Sequence, residues 1–270
     1  MPSLEQHAFG PAPPGPVVPV PDARDELSPR DRWLAGVCLG ALGRYRTAER
    51  WLLPGAGASS SSSLALSCRA SHLRQLGRHA EAEPLDAAAL AAATDPESRA
   101  DALVGLVADA VGRLDPATAG GRLAAAYAEL GTGDGRPPGR DGPWRPAVRL
   151  AWVTAEVALL GDDAATAVTA ARAAWHRSQV ATACRHAVKS QLVLGAALEA
   201  AGRTRPAARI LRAAATGADR LGLPPLAWPA RTLLARISAP RAPGLAARER
   251  RQADSAQSII REGADSATNR

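Results

Sequence analysis

The chain has 270 residues, a formal net charge of +7 and only 3% aromatic side chains. Its three cysteines form no Cys-x-x-Cys pair, which excludes a disulfide framework or a zinc ribbon and favours reduced thiols. No run of about 18 apolar residues occurs, so we expect no transmembrane span and a cytoplasmic protein. A single lysine, Lys189, stands among many arginines that are mixed with acids, which indicates a moderately basic surface.

The N-terminal arm, residues 1–27, is rich in proline and carries few large apolar side chains. Such a segment cannot offset the entropy that its backbone loses on ordering. Its prolines also interrupt the only hydrophobic stretch, so no signal peptide is expected. The sequence therefore predicts a disordered arm.

The middle of the chain, residues 28–238, has apolar residues at helical spacing and no alternation typical of strands. It is predicted to be one all-α domain, interrupted by a serine-rich loop at 55–63 and a Gly- and Pro-rich loop at 131–143. The predicted helices are 29–42, 45–53, 63–76, 79–93, 97–111, 116–130, 145–160, 163–178, 181–201, 204–221 and 229–238.

The C-terminal segment becomes polar and charged after Pro240 and Pro243. A helix is compatible with Leu245 to Arg261, but few large apolar residues are available to dock it. We predict that residues 239–270 form a flexible charged tail.

Five glycines recur in a similar local context, and the first three are 34 and 35 residues apart. A small residue stands seven positions before each glycine and another five positions after it, where two helices of a hairpin would cross. This period predicts stacked helical hairpins that bury their faces against their neighbours. The glycines are Gly43, Gly77, Gly112, Gly161 and Gly202.

The pattern resembles the tetratricopeptide repeat (TPR) over roughly residues 29–237. The best unit, 188–221, has Gly195, Gly202 and Leu211 where that family places them, whereas Asp86 and Gly121 replace a large apolar residue. The resemblance implies an α-solenoid of about five TPR-like hairpins with a C-terminal capping helix and disordered termini. It also implies a concave face that docks a peptide or protein.

Motifs for chemistry are weak. Two groups of histidine and cysteine lack tight zinc spacing, the glycines of the 131–143 loop follow no strand, and no Gly-x-Ser-x-Gly elbow occurs. Glu156 and Glu199 lie on different helices and could meet as an acid–base pair, but solvated helix faces commonly carry such carboxylates. We predict no catalytic residue, no metal and no cofactor.

The predicted function is a non-catalytic, intracellular interaction module that binds a protein or peptide through its concave face. The alternative is a nucleic-acid-associated regulator that uses the arginines following successive turns, with binding that falls steeply with salt. An enzyme with a cryptic site ranks last. The candidate partner-binding residues lie on the first helices of the hairpins and are not required for repeat packing: Ser67, Ser71, Arg74, Gln75, Arg99, Asp109, Lys189 and Glu199.

Overall fold

A computed structural model describes residues 2–13, 27–54, 62–129, 144–240 and 242–265. Within these ranges the chain forms thirteen α-helices and no strand, which confirms the all-α class. The predicted loops 55–63 and 131–143 fall largely outside the described residues, except that Ser62 caps the fourth helix and Ser63 begins it. The helices are α1 (Leu4–Phe9), α2 (Pro29–Ala41), α3 (Tyr45–Leu52), α4 (Ser63–Gln75), α5 (His79–Ala91), α6 (Pro96–Gly112), α7 (Pro116–Glu129), α8 (Trp144–Leu160), α9 (Ala164–Val180), α10 (Cys184–Ala200), α11 (Thr204–Leu221), α12 (Pro224–Ser238) and α13 (Pro243–Asp265).

From α2 onward, consecutive helices pack in pairs: α2 with α3, α4 with α5, α6 with α7, α8 with α9, α10 with α11, and α12 with α13. The even-numbered helices α2 to α12 also contact one another in series, each with the next. They form one continuous layer, here called the inner layer. The odd-numbered helices α3 to α11 connect its members.

Most of the turns that join the two helices of a pair depend on one residue with left-handed backbone geometry. Gly43, Gly77 and Gly202 have φ values of +77°, +76° and +71°, as glycine permits. In the third and fourth hairpins the left-handed residue is instead Leu114 or Asp162, which lies just beyond the repeated glycine. The repeat therefore locates all five turns, although glycine itself supplies the left-handed residue at only three.

Helices approach closely where a small residue faces a large one. A methyl group added at Gly36 would lie 2.6 Å from Leu52 Cδ2, and one at Gly195 would lie 2.5 Å from Leu211 Cδ2. Both leucines are almost completely buried. Burying a leucine stabilises a fold by about 1.5–3 kcal/mol, so these contacts supply packing energy without large aromatic side chains.

The C-terminal segment differs from the predicted flexible tail, because residues 243–265 form α13. This helix packs on α12 and contacts α3, with Ala246, Ala253 and Ile260 buried along one face. Arg231 of α12 donates to the Glu249 carboxylate at 2.6 Å. Small alanines at helical spacing and a buried ion pair dock this helix, although its sequence has few large apolar residues.

The N-terminal arm also contains structure that the prediction of disorder missed. Ser3 and Gln6 form a capping box at the start of α1, and Ala8 and Phe9 are buried. The predicted arm is thus ordered at residues 4–9, while residues 14–26 lie outside the described part of the chain. Helix α12 likewise begins earlier than predicted, since Pro224 occupies the first helical position, where proline is favoured.

Candidate functional site: the central cavity

The inner layer surrounds a cavity of about 490 Å3, here called the central cavity. Every even-numbered helix from α2 to α12 contributes side chains to it, and Phe9 of α1 and Ile260 of α13 reach it from the two ends of the chain. On α8, Arg145, Arg149 and Trp152 line the cavity because residues four and seven positions apart share one helix face.

One wall of the cavity is aromatic. The Trp152 ring stacks on His186 with ring centroids 5.3 Å apart, and Trp144 meets the same imidazole edge-on at 5.0 Å. Phe9 packs 5.3 Å from Trp33 and 5.8 Å from His186. These contacts hold α1 against α2, α8 and α10, so Phe9 acts as an anchor for the N-terminal segment.

A pair of arginines on α8 shares one carboxylate. Nη1 of Arg145 donates to both Asp101 oxygens, at 2.8 and 2.7 Å, and Nη2 donates to Oδ2. A guanidinium nitrogen of Arg149 lies 3.2 Å from the same carboxylate. The Arg145 guanidinium also lies over Phe9 at 4.8 Å and Trp33 at 5.2 Å. Burial lowers the pKa of Arg149, and Asp101 opposes that shift.

A second buried ion cluster joins α4, α5 and α6. Arg74 donates to Asp109 at 3.1 Å and also to Asp86, and both carboxylates have no exposed surface. Burial raises the pKa of both aspartates, while Arg74 acts in the opposite direction. The guanidinium is therefore what allows two acidic groups to be buried between these helices.

On α10, two cations line the cavity with different surroundings. Lys189 pairs with Glu156 at 3.1 Å and lies 5.6 Å from the Trp152 ring centroid. Arg185 has no carboxylate within ion-pair distance in the described part of the chain, and its buried Nε has no hydrogen-bond partner there. Its guanidinium carbon lies 5.9 Å from the centroid of the Phe9 ring. Burial lowers the pKa of Arg185 to about 10, so the side chain remains charged at neutral pH.

Two buried histidines are held neutral. Burial lowers the pKa of His72 to about 3 and that of His186 well below its usual range, and the neighbouring Arg185 adds to both shifts. Burial also raises the pKa of Cys38 to about 11 and that of Cys68 to about 12, so neither thiol is reactive at neutral pH. In the described ranges, no three His, Cys, Asp or Glu side chains cluster as metal ligands would.

The structure separates the eight predicted partner-binding residues into two groups. Those that line the central cavity are Ser67, Ser71, Arg74, Gln75 and Lys189.

Three others do not line it. Asp109 is buried against Arg74, Arg99 is exposed and paired with Glu129 on α7, and Glu199 accepts a hydrogen bond from Arg236 at 2.8 Å. Arg74 itself is committed to its two aspartates, so it lines the cavity as part of a buried ion cluster and not as an unpaired cation.

Sequence reasoning did not single out Arg145, Arg149, Arg185 or Trp152 as site residues. A signal was present, because Arg145, Arg149, Trp152 and Glu156 follow the i, i+4, i+7, i+11 spacing of a single helix face. Polar residues on that stripe of a first helix are candidates to face the interior of a helical array.

No protein-family model matches this chain, and no curated protein is similar to it at a significant level. Among the helices described, none is both long and apolar enough to cross a lipid bilayer.

Proposed function

We propose that this chain is a non-catalytic interaction module, built as an α-solenoid of TPR-like hairpins, that binds a peptide or protein segment on the inner layer. The serial contacts of the even-numbered helices and the small-to-large contacts at Gly36 and Gly195 support the TPR-like arrangement. The three cysteines carry no disulfide, in keeping with the cytoplasmic location that we propose.

The observation that carries the proposal is that the chain's own N-terminal segment already lies on the inner layer as a peptide would. Phe9 is its aromatic anchor. The carbonyls of Gly10 and Pro11 accept hydrogen bonds from the Cys184 backbone and thiol, both at 3.3 Å. Glu5 pairs with Arg30 at 3.1 Å. One buried aromatic anchor with a few backbone and charged contacts is a common mode of peptide recognition.

The direction of the basic side chains supports a peptide partner over nucleic acid. Arg145, Arg149, Arg185 and Lys189 line the central cavity, and all but Arg185 are paired with carboxylates. Two of the arginines that follow turns, Arg78 and Arg113, are paired with glutamates. We therefore retain the peptide-binding proposal alone.

The test uses a fluorescent peptide with the sequence of residues 2–13 as the probe and the full-length chain carrying Phe9→Ala as the receptor. Removing the anchor weakens the docking of the chain's own N-terminal segment. The peptide should therefore bind this variant more tightly than it binds the wild-type chain. A peptide with its own Phe9→Ala change should bind at least about tenfold more weakly. Equal binding of the two peptides, measured by fluorescence anisotropy, would remove the basis of the proposal.

A further inference from the structure

Arg185 differs from the other cations of the central cavity. Arg74, Arg145, Arg149 and Lys189 each have a carboxylate within 4.0 Å, whereas Arg185 has none among the described residues. Its buried Nε has no hydrogen-bond acceptor, and Nδ1 of the adjacent His186 is also buried without a partner. A guanidinium that faces a cavity in this way is matched to an oxyanion, because its fork of N–H donors fits a carboxylate bidentately.

Retaining such a group has a stability cost. Charges that leave water are costly unless they are paired, and unpaired buried ions are rare in folded proteins. The Phe9 ring offers Arg185 only a cation–π contact at 5.9 Å, which compensates part of that cost. The unpaired charge is explained if Arg185 is paired when the cavity is filled.

The dimensions and walls of the cavity limit what can fill it. A volume of about 490 Å3 lies within the range of small-molecule sites, which are mostly apolar with a few converging polar groups. The apolar walls of the cavity include Trp152, Val153, Leu192 and Trp228. A suitable ligand therefore combines an apolar or aromatic body with one negative charge, since one guanidinium lacks a carboxylate.

We propose that the central cavity binds a small apolar carboxylate, with the carboxylate group held by Arg185 and the body packed against Trp152 and the neighbouring aliphatic side chains. This inference goes beyond peptide binding, because the ligand occupies the interior behind Phe9 and not the place of the N-terminal segment. A failure of either experiment therefore leaves the other interpretable.

The test titrates the full-length chain with a library of aliphatic and aromatic carboxylic acids and with the matched neutral amides as probes. Binding is followed by tryptophan fluorescence, to which Trp152 contributes, and by calorimetry. At least one acid should bind, and its amide should bind at least about tenfold more weakly. Arg185→Gln should weaken binding of the acid at least about tenfold and leave binding of the amide unchanged. Arg185→Lys should bind the acid with an affinity between those of the wild-type chain and Arg185→Gln. Arg205→Gln, at an exposed arginine of α11, is the matched control and should change neither.

A second measurement separates a binding residue from a structural one. If Arg185 is retained for a ligand, Arg185→Met should raise the thermal midpoint of the ligand-free chain, because it removes an unpaired, partly buried charge. The proposal is overturned if no acid binds, if acids and amides bind equally, if Arg185→Gln leaves acid binding unchanged, or if Arg185→Met lowers the midpoint. If the N-terminal peptide still binds when one of these results is obtained, only the carboxylate site is refuted.

Discussion

The second and fifth hairpins place chemically opposite residues at the same position, nine residues after the turn glycine. In the fifth hairpin this is Leu211, which packs against Gly195; in the second it is Asp86, which approaches Gly105 of α6. Both side chains are fully buried. The leucine stabilises its site by apolar burial alone, whereas the aspartate depends on Arg74. The same position in a hairpin therefore accepts either a buried leucine or a buried ion cluster. Only the ion cluster leaves an unpaired buried charge when one partner is removed.

The largest effect is expected at the polar hairpin. Arg74→Met leaves Asp86 and Asp109 buried without a cation, so the free energy of unfolding should fall by about 3–5 kcal/mol, measured by urea denaturation. Arg78→Met, which changes an exposed arginine four residues away, is the control and should cost much less. Adding Asp86→Leu and Asp109→Leu to Arg74→Met should recover most of the loss. If Arg74→Met costs no more than Arg78→Met, the ion cluster does not support this hairpin.

At the apolar hairpin the expected effect is somewhat smaller. Leu211→Ala should lower the free energy of unfolding by about 3 kcal/mol, since it leaves a cavity between α10 and α11. Ile259→Ala, at a half-exposed position of α13, is the matched control for loss of apolar volume and should cost less than about 1 kcal/mol. Equal losses in the two variants would contradict the packing described for the fifth hairpin.

The third effect depends on pH and concerns the polar side of the molecule. The pKa of His72 is about 3 in the folded chain and about 6.5 when unfolded, so below pH 6.5 the unfolded chain binds a proton that the folded chain excludes. This histidine should therefore reduce the free energy of unfolding by about 2 kcal/mol between pH 7 and pH 5. Asp86, whose pKa is raised by burial, acts in the opposite direction over this window.

Because His72 and Asp86 act in opposite directions, the test compares how the free energy of unfolding depends on pH in the wild-type chain and in a His72 variant. His72→Asn should make the free energy of unfolding fall less between pH 7 and pH 5 than it does in the wild-type chain, by about 2 kcal/mol. His176→Asn, at an exposed histidine, should leave the pH dependence unchanged. Identical pH profiles for His72→Asn and the wild type would mean that His72 is not held neutral.

The sequence predicted the class and most of the helices because their signals are local: apolar spacing, capping residues and the repeated turn. It could not predict where α1 and α13 dock, since Phe9 meets Trp33 and His186 only after several hairpins have assembled. Nor could it pair Asp86 with Arg74 and Asp109, because Asp86 stands where the repeat has a large apolar residue and so looked like a departure from it. The cavity lining was predicted in part, because the position on a first helix was sufficient to find Ser67, Ser71, Arg74, Gln75 and Lys189.

The central claim is that the inner layer is the binding face, and site-specific photo-crosslinking tests it most directly. A photoreactive residue would replace Cys184, which contacts Gly10 and Pro11 of the N-terminal segment, or Arg209, which lies exposed on α11, in chains carrying Phe9→Ala. The labelled peptide of residues 2–13 should crosslink at position 184 and not at position 209. Crosslinking that is equal at both positions, or stronger at 209, would contradict the account.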